Sequence, residues 1–346
     1  MQGSESKMSI RLAIAGLTCL ALLGACSGTN EPAPAAPSAS RDVEGRVVKN
    51  LVAGADVQLF AIGPGGEPLP PVLATTQTAA DGSFSFSGIG PGPFLARSRG
   101  GQYRDESDPE GNRVITLGPT EGFETIVPVD TTTVTINPFT QMLVDKLRRQ
   151  AAGSGFANLI PGGRDLFFEA FGFDILTTLP ADPLSPSGSD DSIDYGLMLG
   201  GLANVINALV VGDGLNDPLT QQDFAFIRAY ARDASDGEED GAEAGGQLTA
   251  NGEALPSADI NTEIRRFLNN FRAGRPGYVG VDAPTIDLGE LSGQIAPQPV
   301  NQPPVAVADQ FSGVLGAPLE VAAATGPLAN DFDPEGQSVS FLRVVN

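Results

Sequence analysis

The sequence predicts a multidomain α+β chain: an N-terminal antiparallel β-sandwich, a central all-α helical module, and a partial C-terminal β-sandwich repeat. Three observations lead there. Short runs rich in Val, Ile, Phe and Thr, punctuated by Gly, Pro or Asp, fill residues 43–135. From residue 136 the apolar residues recur at helical spacing. A proline-rich stretch, "APQPVNQPP", then precedes a renewed β-type pattern. With 346 residues the chain is longer than one ordinary domain, and 43 Gly and 28 Pro fit a molecule of many turns and linkers.

Residues 1–25 carry the first signal. Lys7 and Arg11 form a short basic region ahead of an apolar run from Leu12 to Ala25. That run is too short for a stable bilayer-spanning helix and has the pattern of a secretory signal peptide, with Met8 an alternative start. It ends Leu23-Gly24-Ala25-Cys26. These residues resemble the lipobox of bacterial lipoproteins, an aliphatic residue and two small ones before a cysteine. The resemblance implies diacylglycerol on the Cys26 thiol, cleavage before Cys26, and acylation, typically with palmitate, of the new amino group. Acyl chains contribute roughly 0.8 kcal/mol per buried methylene, so two or more hold a protein durably. An ordinary signal peptide or a membrane-anchoring helix, with an incidental cysteine, is the competing reading. Ser27, where that family uses Asp for inner-membrane retention, implies the outer membrane.

Residues 26–42, the lipidated Cys26 and "SGTNEPAPAAPSASRD" after it, lack apolar periodicity and read as a flexible tether. At about 3.1 Å per residue when extended, it reaches up to ~50 Å.

Within residues 43–135 the β signals are "VEGRVVKN", "ADVQLFAI", "PVLATTQT", "DGSFSFSGI", "PFLARSRG", "NRVITLG" and "GFETIVPV". Alternation in the fourth places Phe84 and Phe86 on one face and Ser83, Ser85 and Ser87 on the other, after an Asp81-Gly82 turn. Strands this closely spaced, with no helix between them, imply an antiparallel sandwich. The order "EGRVV", "AGADVQLF", "TTQTAADGSFSFSGI" resembles the carboxypeptidase regulatory-like, transthyretin-type domain. That family is mostly non-catalytic and supports folding, adhesion or glycan contact, so its alternating aromatics are expected to be core.

Residues 136–280 read as helices. In "NPFTQMLVDKLRRQAA", Phe139, Met142, Leu143 and Leu147 share a face, Asn137 is the N-cap and Pro138 stands in the first turn. "GRDLFFEAFGFDIL" clusters Phe167, Phe168 and Phe171. "DDSIDYGLMLGGLANVINALVV" is strongly apolar, but Asp194, Asn204 and Asn207 interrupt it, so a core helix is expected rather than a membrane span. "DPLTQQDFAFIRAYARD" starts from Thr220, and "SADINTEIRRFLNNFRAG" ends at Gly274. The module resembles helical segments that follow such sandwiches in secreted bacterial lipoproteins, a resemblance that implies no activity.

The charge concentrates in this module. From Asp182 to Glu263 there are 16 acidic residues against Arg228 and Arg232. In "DASDGEEDGAEAGGQ", Asp236, Glu238 and Asp240 stand at positions 1, 3 and 5 of a calcium-type loop and Gly241 at 6, but Gln247 occupies the position that calls for a bidentate Glu. A solvated acidic loop accounts for the same residues.

Residues 281–302 form a linker, and residues 303–346 begin "PPVAVADQFSG", with "PLANDFDPEGQSVSF" further on. With Asn301, these residues resemble the start of a bacterial cadherin-like or immunoglobulin-like repeat. The resemblance implies a calcium site at Asp331, Asp333 and Glu335, although Gln337 replaces the final acid. About half a repeat is covered, so either a fragment of a longer product or a poorly ordered tail is expected.

Composition narrows the chemistry. A net charge of −22 opposes nucleic-acid binding, which needs a basic stripe. With no histidine, imidazole general-base catalysis is excluded, and with only Cys19 and Cys26 there is no cysteine zinc cluster. Arginine outnumbers lysine 17 to 3, a bias read as compositional. The chain is therefore expected to be a non-enzymatic outer-membrane lipoprotein, structural, adhesive or ligand-presenting. Its partners would be the membrane, through the lipid, and envelope proteins or glycans. A carbohydrate-active envelope enzyme or its accessory subunit, and a calcium-responsive binding module, are the alternatives.

Overall fold

The computed structural model describes residues 40–211 apart from 109, 111, 130 and 152–154. Beyond 211 it describes residues 229, 232–233, 241–243, 246–250, 253–254, 260–284, 291 and 293–295. All of these belong to one compact unit, Pro37–Gln298, of mixed α+β structure.

Nine strands come first: β1 Arg41–Val47, β2 Asp56–Ile62, β3 Pro68–Gln77, β4 Ser83–Ile89, β5 Phe94–Arg99, β6 Gln102–Arg104, β7 Val114–Thr116, β8 Glu124–Val127 and β9 Thr133–Ile136. They form a three-stranded sheet, β4-β1-β9, a four-stranded sheet, β3-β2-β5-β8, and the pair β6-β7. Each of the seven strand-like runs in the sequence is a strand. The expected alternation holds in β4, where Phe84 and Phe86 are buried, with ring centroids 5.5 Å apart, and Ser85 and Ser87 are exposed. The Asp81 carboxylate accepts the Ser83 N–H at 3.1 Å and its hydroxyl at 2.6 Å, holding the turn before β4.

The pairing is antiparallel with one exception. β9 lies parallel to β1, Glu44 opposite Thr133 and Val47 opposite Ile136. A parallel neighbour needs a long connection, and here all of β2–β8 supplies it. At Gly45 three strands converge: a Cβ there would lie 2.4 Å from the Phe84 ring and 2.6 Å from the Val134 carbonyl. The "EGRVV" glycine is thus required by close approach rather than by turn geometry.

Among the described residues four α-helices have defined bounds: α1 Pro138–Gln150, α2 Ile160–Phe171, α3 Asp190–Val211 and α4 Ile260–Ala273. The expected face of α1 is buried at Phe139, Met142, Leu143 and Leu147. Asn137 is the N-cap, accepting the N–H groups of Phe139 and Thr140 at 2.9 and 3.1 Å, with Pro138 in the first turn. In α2, Phe167 and Phe171 stack at 5.8 Å in the core, whereas Phe168 is 52% exposed. Residues i and i+4 share a helix face and i+1 does not, which removes Phe168 from the expected cluster. α4 ends as expected at Gly274, whose N–H bonds the Asn270 carbonyl at 3.1 Å.

Helix α3 is core: Tyr195, Leu197, Met198, Leu199 and Leu202 are buried. Against it packs α4, through Leu268 and Phe271. A Cβ on Gly200 would meet the Phe271 ring at 2.3 Å, so the glycine permits this separation. Among the described residues no helix is long and apolar enough to cross a membrane. The helix expected after Thr220 lies outside the described residues except at Ala229, Arg232 and Asp233, which are helical.

One hydrophobic core runs from Val43 of β1 to Ile295. The seam between sheets and helices is a polar and aromatic joint. Asn137 Nδ2 donates to the Tyr195 hydroxyl at 2.7 Å, and that hydroxyl donates to the Ile175 carbonyl at 3.0 Å. Around it Phe139 meets Phe171 at 5.1 Å and Phe173 meets Tyr195 at 4.9 Å. All the polar groups of the joint are buried and bonded, as a buried network must be to contribute.

Candidate functional site

Where α1 crosses the four-stranded sheet, charged side chains gather. β8 is buried along its whole length, and its first residue is Glu124, 4% exposed. Register places Arg97 of β5 directly opposite. Arg97 Nε and Nη2 each lie 2.5 Å from Glu124 Oε1. From α1, Arg148 Nη1 donates to the other carboxylate oxygen, while its Nε and Nη2 donate to the Gly66 carbonyl at 3.1 and 2.9 Å. Arg148 therefore ties helix, strand and the β2–β3 turn together.

Helix α1 fastens the backbone of β8 as well. Gln141 Oε1 accepts the Glu124 N–H at 2.9 Å, and Thr140 Oγ1 donates to the Glu124 carbonyl at 2.9 Å. Burial by itself would raise the Glu124 pKa. The Arg148 and Arg97 guanidinium groups overcome it and hold the carboxyl below its ordinary range. Glu124 is thus an ionised structural centre.

Beside this centre opens a cleft of about 440 Å³ lined by Arg97, Arg99, Arg148, Arg149 and Arg232, with the carboxylates of Glu124 and Asp145. Arg97 and Arg99 are alternate residues of one strand and so project to the same side, while Arg148 and Arg149 occupy the last turn of α1. The guanidinium fork binds carboxylate and phosphate oxygens in pairs. Nothing in the sequence marks these residues as one group. Its local trace was the "RSR" in β5 and the "RR" in α1, and neither reveals a common cleft.

A second cleft, of about 460 Å³, lies by β6 and is lined by Asn50, Gln102, Tyr103, Val114, Asp182 and Leu184 among others. Close to it a buried ion pair joins Lys49 Nζ to Glu106 Oε2 at 3.3 Å, the two side chains 2% and 0% exposed. Lys49 Nζ also stands 5.6 Å from the Tyr103 ring centroid. Arg275, just past α4, donates to the carbonyls of Glu106 and Asp108 at 2.6 and 2.7 Å. The lining is mostly apolar and neutral, with Arg104 and Asp182 its charged members, and gives this cleft no defined chemistry.

Cys26, Asp236, Glu238, Asp240, Asp331, Asp333 and Glu335 all lie outside the described residues. Two flanking parts of the first acidic loop are described. Gly241 N–H donates to Asp233 Oδ1 at 2.8 Å, and the Gln247 side chain, at the loop's last position, donates to the Gly241 carbonyl at 2.7 Å. A short hairpin, Ala242–Glu243 with Gly246–Gln247, follows Gly241. Among the described residues no group of three or more Asp, Glu, Cys or His is placed to hold a metal ion. Compared with known proteins, the chain matches no protein-family model and no curated protein.

Proposed function

We propose that this chain is a lipid-anchored, non-catalytic lipoprotein of the bacterial outer membrane that holds its folded body away from the lipid and presents it to envelope proteins or glycans. The observation that carries the reading is Leu23-Gly24-Ala25-Cys26 at the end of a short apolar run, followed by a Pro/Ala/Ser-rich tether. With Cys19 removed in the signal peptide, the mature chain keeps Cys26 as its one cysteine, its sulfur carrying the lipid. In the same reading the two larger N-terminal sheets are the halves of a transthyretin-like sandwich, and residues 303–346 begin a cadherin-like repeat. The non-catalytic part is supported by the absence of histidine and of tryptophan, the commonest sugar-stacking side chain. The test is metabolic labelling with palmitate in a Gram-negative host. Label on the wild-type chain that disappears in Cys26→Ala supports the anchor, and label that survives the substitution overturns it.

A further inference from the structure

We infer that strand β3 joins two copies of this chain, pairing antiparallel with itself through Leu73–Gln77 to make one continuous sheet. The inference does not depend on the lipid anchor. β3 stands at one end of the order β3-β2-β5-β8, and among the described residues its strand partner is β2 alone. At the other end, β8 is buried along its whole length and α1 bonds its backbone at Glu124. One end of the sheet is therefore capped and the other is open.

The open edge is prepared for one register. Thr78 N–H donates to the Ala55 carbonyl at 2.9 Å, and Thr76 and Ala74 stand opposite Val57 and Leu59 further along the same ladder. Antiparallel backbones face a given partner at every second residue. Thr78, Thr76 and Ala74 thus turn their N–H and C=O groups to β2, and Leu73, Thr75 and Gln77 turn theirs outward. A second copy related by a two-fold axis at Thr75 sets Thr75 against Thr75 and Leu73 against Gln77, a ladder of roughly six hydrogen bonds. Beyond Leu73 the register shifts between Leu59 and Ala61, and Pro70 and Pro71 have no N–H to donate, so the ladder ends there.

The side chains fit the same partner. Edge strands are commonly guarded by charge, lysine above all. From Pro68 to Ala80 there is no charged side chain, in a chain of net charge −22. A basic partner finds nothing to pair with along this strip, while a second acidic copy meets no like charge there. Val72 and Leu73 are 41% and 48% exposed, and the pairing gives both apolar groups a neighbouring strand. Because the capped β8 edge offers no second docking point on this sheet, the association closes at two copies.

The experiment is cross-linking of the full chain by mild oxidation in detergent solution, read on non-reducing denaturing gels. Thr75→Cys places a thiol of each copy at the two-fold axis, where facing Cα atoms of a bonded pair stand about 5.5 Å apart, within disulfide reach. It is expected to give a covalent dimer well above the level of the wild type, which carries the native cysteines only. Ser85→Cys, on the exposed side of β4, is expected to stay at the wild-type level. Higher sodium chloride, which screens the repulsion between two acidic copies, is expected to raise the Thr75→Cys yield. Adding Leu73→Lys and Gln77→Lys to Thr75→Cys sets ammonium groups opposite one another and is expected to lower the yield roughly tenfold. The proposal is overturned if Thr75→Cys cross-links no more than Ser85→Cys, or if the two added charges leave the yield unchanged.

Discussion

Replacing Asn137 tests whether the seam between sheets and helices is held by one side chain. Its Oδ1 accepts the Phe139 and Thr140 N–H groups, and its Nδ2 donates to the buried Tyr195 hydroxyl at 2.7 Å. Loss of an N-cap oxygen costs about 1 kcal/mol and up to about 2. Loss of one buried neutral hydrogen bond adds about 1 kcal/mol. Asn137→Ala is therefore expected to destabilise the unit by about 2 to 3 kcal/mol. Asn137→Ser keeps a capping oxygen and loses the tyrosine bond, so about 1 kcal/mol is expected. Tyr195→Phe removes the same bond from the other side. Because the two residues share one interaction, the double variant Asn137→Ala/Tyr195→Phe should fall short of the sum of the singles by about 1 kcal/mol. Urea unfolding followed by far-ultraviolet circular dichroism measures all four. Strict additivity, or a serine variant as damaged as the alanine variant, would refute the reasoning.

Two further outcomes follow from buried polar groups. Glu124 has a depressed pKa, so its contribution is present in full above its ordinary value of 4.5 and is lost as pH falls through its folded-state pKa. Glu124→Gln should cost about 3 kcal/mol at neutral pH, and calorimetry should show its stability gap to the wild type closing under acid. A gap unchanged by pH would contradict an ionised Glu124. The Tyr278 hydroxyl is buried and has no hydrogen-bond partner among the described residues. Tyr278→Phe is therefore expected to leave stability unchanged or raise it by up to about 1 kcal/mol in thermal unfolding.

The strands were legible because each is short, alternating and bounded by turn residues: "DGSFSFSG" announces both its turn and its buried face. The start of α1 was legible for a similar local reason, an Asn-Pro pair ahead of a helical apolar stripe. What was not legible came from distant residues. Nothing in "TVTI" marks β9 as a partner of β1, since that pairing joins Val47 to Ile136 across almost the whole sheet region. Phe168 looked like its neighbours because composition is blind to helical phase. The arginine cleft was invisible for the same reason as β9. Its members come from β5, from the last turn of α1 and from Arg232, and each alone resembles an ordinary surface cation. Glu124 carried no mark either, because only strand register sets it opposite Arg97.

The position of β1 has a mechanical consequence. The chain enters the folded unit at Arg41, at the start of a strand flanked on one side by β4 and on the other by β9. Tension drawn through the preceding residues acts along the axis of β1, across hydrogen bonds that run roughly perpendicular to it in both ladders. Such a load is shared in shear by many bonds at once, whereas a load on a peripheral strand opens them one after another like a zip. Because β9 continues through the Asn137 cap into α1, the same pull is passed from sheet to helix, and the body resists as one piece.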